Sequence, residues 1–489
     1  MPISRISLGL FSLFIIGLFI LVNALTLQWL LPGYTFYDIR RITQLSLFLI
    51  MGLMLISSKT IRQQSLDSFQ QLPLTSRCLF LGFFILGLIS AALAPLPKFA
   101  YLEWATFMML LIMGISLAAL RTLLIQSFDR IMLYTLITAI ACYSLLVIGV
   151  LLMAATHPYI GLQSNKLFYV LAAPTFNNPR FLTQFMAWTL PLIVLPNLLY
   201  PSTSRMVRQL LYVIAAYWWC MAIVGQSRAL GLACLLCAIS LFIIFGKAAR
   251  PYLLKQLWAL IGGVILFFVL YQCLIHLPLR NIPLTDPDNR ALIWSVALNL
   301  IKAHPMLGVG PMHFSYYAYA QEQLVAHPHN AILLIASQWG IPATLMLMTL
   351  VIWGLWRWCM FSRQEVKAQS RLTSAYLLIG ITGSLIVAMV DSMFSGTLVM
   401  PVSQVMLALI GGWALGLYFY NRPKPVGSNW LAHYALIGLL VISVIMLILG
   451  VYPDIAKLPQ DEFNFVASCD VATCVNSPYY WLQGWIQFY

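Results

Sequence analysis

Charge is the scarcest property of this chain. Of its 489 residues only 8% are Asp, Glu, Lys or Arg, and 62% are hydrophobic, whereas a soluble protein carries about 25% charged residues. A water-soluble fold of this composition would expose more apolar surface than it could hide, so the chain reads as a polytopic membrane protein. The alternating apolar and polar pattern of an outer-membrane barrel is absent. So are a Gly-rich phosphate loop and a dinucleotide fingerprint, which excludes ATP or a nucleotide sugar as substrate. No internal repeat and no low-complexity linker divides the chain. The net charge is +14, yet the basic residues stand singly between apolar runs, as loop anchors do, so nucleic acid is not an expected partner.

Long apolar runs are what the chain does have. A span across about 30 Å of hydrocarbon needs about 20 residues. Thirteen runs approach that length: 7–31, 42–58, 78–96, 101–120, 129–153, 185–200, 208–225, 229–246, 256–276, 331–356, 372–390, 402–420 and 432–452. The expected fold class is therefore an all-α polytopic membrane protein of about 13 transmembrane helices, a single membrane domain over 1–489. The first run lacks a small-residue cleavage site and is long enough to cross, so it reads as a span.

With the N-terminus placed inside, 17 of the 27 Lys and Arg residues fall on the inner side and 10 on the outer. That bias follows the positive-inside rule and puts the C-terminus outside. The three long polar segments, 154–184, 277–330 and 453–489, then lie on the outer face. So do all the histidines except His433. The segment 277–330 is the large outer loop expected to carry the site, and 453–489 is an outer tail. Within the loop, Asp286-Pro287 reads as a helix start. Leu292, Ile293, Val296, Ala297, Leu300 and Ile301 recur at helical spacing up to His304-Pro305. Gly308 and Gly310 break the chain before an aromatic-rich helix over roughly 311–325.

Three outer-face arginines are candidates for chemistry: Arg228 in a tight turn between two spans, Arg180 just before a span, and Arg290 at the start of the surface helix. A guanidinium near the bilayer is costly without a partner, and its planar fork suits a phosphate or diphosphate. Each could also be an anchor that snorkels to headgroups. His327-Pro328-His329-Asn330 abuts the start of an apolar helix, where free N–H groups favour an anion. A neutral imidazole there can take a proton from a hydroxyl. His329 is the first choice of base and His327 the second; a helix-capping role is the structural alternative. No Cys or carboxylate stands at ligand spacing from them, so neither a metal nor another cofactor is expected. A transporter or lipid flippase is the rival of another class. It would place ionisable groups at mid-depth, and only Glu103 and Asp391 lie near span ends. Gln184, Gln226 and Gln404 at outer span ends suit sugar hydroxyls or one another. Seven cysteines lie in or beside apolar runs; Cys469 and Cys474 sit in the outer tail, where oxidation is allowed, and are expected to form a disulfide.

The segment from Arg290 to Gly340 resembles the O-antigen ligase superfamily, which comprises O-antigen ligases, O-antigen polymerases and protein O-oligosaccharyltransferases. The resemblance rests on Arg290 and Trp294, the run His304-Pro305-Met306-Leu307-Gly308-Val309-Gly310, then His329-Asn330 and Gly340, with Ser227-Arg228-Ala229 as an earlier motif. Ala343 departs from the ligase pattern. The stretches 176–184 and 391–404 are similar to the pilin-directed protein O-oligosaccharyltransferases. Gln184 stands where that group has a functional Gln, but no Tyr stands near Pro401, where Ser403 and Gln404 are found. The resemblance implies an inner-membrane glycosyltransferase acting on the periplasmic side. Its donor would be a glycan on a polyprenyl diphosphate, undecaprenyl above all, and its acceptor a Ser or Thr hydroxyl of a periplasmic protein such as type IV pilin. An O-antigen ligase with a lipid A-core acceptor, or an O-antigen polymerase, is the alternative. Arg180, Gln184, Arg228, Arg290 and Asn330 are the expected donor contacts. The outer side balances ten acids against ten bases, which favours a protein over a phosphate-rich acceptor. Phe314, Tyr316, Tyr317 and Tyr319, with Tyr479, Tyr480, Trp481 and Trp485, are candidates to dock it or to form an interfacial belt.

Overall fold

The computed structural model describes residues 4–156, 173–176, 178–200, 202–274, 290–319, 326–368, 374–420, 422, 430–460 and 480–481. Among them every regular element is helical. The physical reason is that hydrocarbon offers no partner for a free N–H or C=O, so each crossing segment must satisfy its own backbone. Asp286, Cys469, Cys474, Tyr479 and Trp485 lie outside the described residues.

In chain order the first half contains α1 (Arg5–Val22), α2 (Leu25–Gln28), α3 (Phe36–Ser57), α4 (Lys59–Gln70), α5 (Leu74–Ala92), α6 (Pro97–Leu124), α7 (Gln126–Thr156), α8 (Pro179–Thr189) and α9 (Leu195–Leu199). The second half contains α10 (Arg205–Val224), α11 (Arg228–Phe245), α12 (Arg250–Leu266), α13 (Arg290–Ala303), α14 (Phe314–Tyr319), α15 (Ala331–Trp339), α16 (Ile341–Ala368), α17 (Ala375–Ser392), α18 (Pro401–Phe419) and α19 (Trp430–Val451).

Twelve helical runs are long and apolar enough to cross a membrane, one of them the 47-residue run Arg228–Leu274. That run breaks at Gly246, whose φ of +58° ends α11. Both halves contribute residues to one groove; the expectation of about thirteen spans counted 229–246 and 256–276 separately, where twelve runs are found among the described residues.

Two boundaries differ from the sequence reading. The run 331–356 is not one span: Gly340, at φ +87°, separates the short α15 from the crossing helix α16. The hydrophobic count could not register a break inside a continuously apolar stretch. The run 185–200 begins earlier, at Pro179, and is interrupted by a 3-10 turn at Leu190–Leu192, where Pro191 cannot donate to the ladder. The sequence reading also passed over α4, a polar helix capped by Ser58, whose hydroxyl accepts from the Ile61 N–H at 3.3 Å.

The core of the bundle is α6 against α18. Gly412 and Gly416 stand one turn apart on α18, and a Cβ on Gly416 would come within 2.8 Å of the Ala118 carbonyl oxygen. Small residues at this spacing let two helix backbones approach closely, which is how helices adhere where lipid is as apolar as leucine.

Two arginines counted as loop residues are in fact buried in the bundle. Arg40 packs its guanidinium 3.8 Å over the Phe176 ring and bonds the Leu21 and Val22 carbonyls. Arg41 donates to Gln44, Gln404, the Tyr37 hydroxyl and the Val399 and Tyr480 carbonyls, at 2.7–3.2 Å. Tyr480 and Trp481 are buried beside it, so they are not on a docking surface. Phe314 is also buried; Tyr316 is exposed and Tyr317 partly so.

Candidate active site

Over the end of the bundle that carries α13 to α15, the chain builds a layer whose geometry follows from its glycines. Gly308 has φ +66° and Gly340 φ +87°, a region that side chains rarely enter. They let the 305–310 segment lie directly against the end of α15. Val309 N–H bonds the Ser337 carbonyl at 2.9 Å, Gly310 N–H the Gln338 carbonyl at 3.0 Å, and Ile341 N–H the Pro305 carbonyl at 2.8 Å. A Cβ at Gly308 would strike the Gln338 backbone, and one at Gly340 the Met306 carbonyl. The Gln338 side chain accepts from the Met312 N–H at 2.8 Å. The His-Pro-Met-Leu-Gly-Val-Gly run is thus a clasp on α15, the helix that begins directly after His327 and His329.

The histidines divide into two kinds. His313 is buried and both ring nitrogens are engaged: Nδ1 lies 2.7 Å from the Pro311 carbonyl and Nε2 accepts from the Leu96 N–H at 3.0 Å. Burial lowers its pKa, and it acts as a brace between the loop and the start of α6. His304 is exposed, its ring 6.3 Å from that of Tyr317.

His327 and His329 stand together, ring centroids 4.2 Å apart. His327 is buried, and its ring packs on Gly396, where a Cβ would come within 2.7 Å of Nε2 and 3.5 Å of the Gln184 amide nitrogen. His329 is partly exposed and adopts φ +52°, a backbone strain of about 1–3 kcal/mol for a residue with a side chain.

Two arginines, Arg180 and Arg290, act on these rings. Burial first, then Arg180, pushes His327 down to about 4. For His329 the causes in order are burial, His327, Arg180 and Arg290, and together they hold it well below the usual imidazole range. Each cation nearby makes a second positive charge costly. Both imidazoles are therefore neutral at neutral pH, the form in which a histidine can accept a proton.

The structure therefore brings together Arg180 and Gln184 from α8, Arg290 from α13, and His327 and His329. Gln184 is buried and its Oε1 has no hydrogen-bond partner among the described residues. The Arg228 turn lies beside α8, since a Cβ on Gly225 would come within 2.8 Å of Thr183. Arg228 and Gln226 stand at the end of a groove of about 710 Å³ between α10, α11 and α12, lined by Trp219, Ile223, Leu235, Leu241 and Leu257 among others. Leu235 and Leu257 are exposed on the outer wall of the bundle, so the groove opens sideways. An apolar channel with a cation at its mouth fits an amphiphile whose head is anionic.

Asn330, one of the expected donor contacts, also makes two hydrogen bonds within the protein. Its Oδ1 caps α15 by accepting from the Leu333 N–H at 3.0 Å, and its Nδ2 donates to the Met393 carbonyl at 3.1 Å. Gln404 is spent on Arg41 and Gln44, and Ser403 accepts from the Trp188 indole at 2.8 Å; both are structural. The sequence reading missed the loop 393–400 as a partner of the histidines. There Ser395 and Thr397 donate to the buried Asp391 carboxylate, which Arg290 also influences, and Gly396 backs His327. The signal was a cluster of hydroxyls around glycine just after an acidic span end. Among the described residues no group of three or more His, Cys, Asp or Glu could hold a metal ion.

Residues 211–348 match a family model described as O-antigen ligase. The match spans well under half of the chain but takes in Arg228, Arg290, the clasp, both histidines and Gly340. It supports placing the chain in the O-antigen ligase superfamily, with the ligase-like glycosyltransferase activity, lipid-linked glycan donor and membrane setting that the family implies. No curated protein matches the chain.

Proposed function

We propose that this protein transfers a preassembled glycan from a polyprenyl diphosphate, undecaprenyl in particular, to a Ser or Thr hydroxyl of a protein on the outer face of the inner membrane, type IV pilin being the expected acceptor. The observation that carries the reading is the convergence of Arg180 and Arg290 on a neutral, strained His329, with Arg228 lining a separate apolar groove.

The step is a displacement at the anomeric carbon. The acceptor oxygen bonds to that carbon while the carbon–oxygen bond to the diphosphate breaks, and the bonding pair leaves with the diphosphate. The acceptor proton passes to His329. Arg180, Arg228 and Arg290 meet the negative charge that grows on the leaving group, where fixed cations in a water-poor site lower the barrier most. Bound diphosphate also offsets the cations that depress the proton affinity of His329, so the base strengthens when the donor is in place. The groove takes the prenyl chain, and the buried Gln184 Oε1 offers an acceptor to a sugar hydroxyl. The step as written calls on no nucleotide. In this reading the N-terminus is cytoplasmic and the C-terminus outside; an active alkaline phosphatase fused after Tyr489 is the expected outcome, and an inactive one would overturn the placement.

The test of function is purified protein incubated with a lipid-linked glycan and either pilin or lipid A-core, without nucleotide or metal. Glycosylated pilin is expected. The description of the matched family favours a second reading, ligation to lipid A-core, and product on that acceptor alone would establish it instead.

A further inference from the structure

The peptide unit between Pro328 and His329 is held at both of its polar ends. Its carbonyl accepts from the Trp294 indole N–H at 3.0 Å. Its N–H, which belongs to His329, donates to His327 Nδ1 at 3.2 Å. Trp294 stands one turn after Arg290 on α13, so the helix that supplies a cation to the site also anchors this plane. Pro328 adds its own restriction, fixing its φ near −65° and keeping His327 out of helical backbone. With the plane pinned on both sides, His329 is carried into φ +52° and its ring is turned toward His327.

We propose that His327 is a positioning residue: a side-chain bracket that orients the His329 peptide, and not a second base. An acceptor attached to Cγ that binds the N–H two residues on is the arrangement of an Asx turn, in which Asn or Asp plays this part and proline readily follows. Here imidazole Nδ1 occupies the place of the amide oxygen. Because Nδ1 accepts, the proton of the neutral ring resides on Nε2, the nitrogen that faces Gly396 and Gln184. A ring committed in this way has no lone pair to offer an incoming hydroxyl.

The inference rests on the glycosyl-transfer reading for its kinetic arm and is independent of it for its spectroscopic one. Asparagine carries its oxygen on Cγ, as histidine carries Nδ1, and is not a base. His327→Asn should therefore retain most of the wild-type turnover. His327→Ala, with no acceptor, should lose about 10²-fold in kcat, the cost of a reacting group displaced by about 1 Å, at unchanged donor KM. His327→Asn as inactive as His329→Ala would overturn the proposal, because only proton transfer separates the two side chains. So would His327→Ala at wild-type kcat. The second measurement uses 15N-histidine-labelled full-length protein, the His327 signal being identified by its loss in His327→Asn. The Nε2-protonated tautomer is expected, and the Nδ1-protonated one would overturn the bracket. This result stands even if wild-type protein transfers no glycan, or if His327→Ala does not insert.

Discussion

Arg41 and Arg290 both stand near the start of a helical segment rich in apolar residues, yet their surroundings differ. Arg41 is buried, and its fork is filled by amide, phenol and carbonyl oxygens from α3, α18, the loop before α18 and the C-terminal Tyr480. Arg290 is partly exposed at the start of α13, and its charge falls on His329 and Asp391. A guanidinium enclosed by its own chain is a rivet. One whose field reaches a neutral imidazole at an accessible surface is placed to act on a ligand. The histidines repeat the contrast: His313 has both nitrogens committed within the protein, whereas His329 is strained, partly exposed and ringed by cations.

The comparison breaks most sharply at His329. His329→Ala should lose about 10²–10⁴-fold in turnover, the range for a general base, while its thermal stability matches wild type. Wild-type turnover in glycan-transfer assays would remove His329 from the chemistry. Arg41→Ala should show the reverse, a loss of stability. Because its partners are neutral oxygens, the loss should be about 1–3 kcal/mol, the cost of an unsatisfied buried group, and would appear as a lower melting point by fluorescence-detected gel filtration; an unchanged melting point would deny the rivet.

Arg290→Ala, and Arg180→Ala and Arg228→Ala with it, should lose about 10²–10³-fold in kcat, as when one contact to developing charge is removed. Insertion should be normal. Lysine at these positions should recover only part of the rate, since it keeps the charge but not the fork. Full recovery by lysine would mean that charge alone matters there.

The smallest effect is a shift in pH dependence. A base is lost as pH falls through its pKa, and His329 is held below the usual 6.5. The acid limb of kcat/KM should accordingly lie below pH 6.5 in wild type. Arg290→Gln removes one of the repelling charges and should move that limb upward. A limb that moves downward or stays in place would show that Arg290 does not act on the base.

Much was legible in the chain alone. Apolar runs without charge or alternation leave the helix as the only self-satisfied way through hydrocarbon, and that set the fold class and nearly all the spans. The polar residues that cannot be spared to lipid had to collect at the ends, which singled out 290–340, Arg180 and Arg228. Tertiary structure decided which of them act. Whether Asn330 binds a ligand or caps α15, whether Gln404 faces a sugar or Arg41, and whether His313 or His329 is available depends on which neighbour saturates each donor and acceptor. Those neighbours are 63 residues away for Asn330 and 363 for Gln404. Hydrogen bonding is short-ranged in space and indifferent to distance along the chain, so composition and periodicity could name the polar groups, and only the packing of α8, α13, α15 and the loop 393–400 could assign their partners.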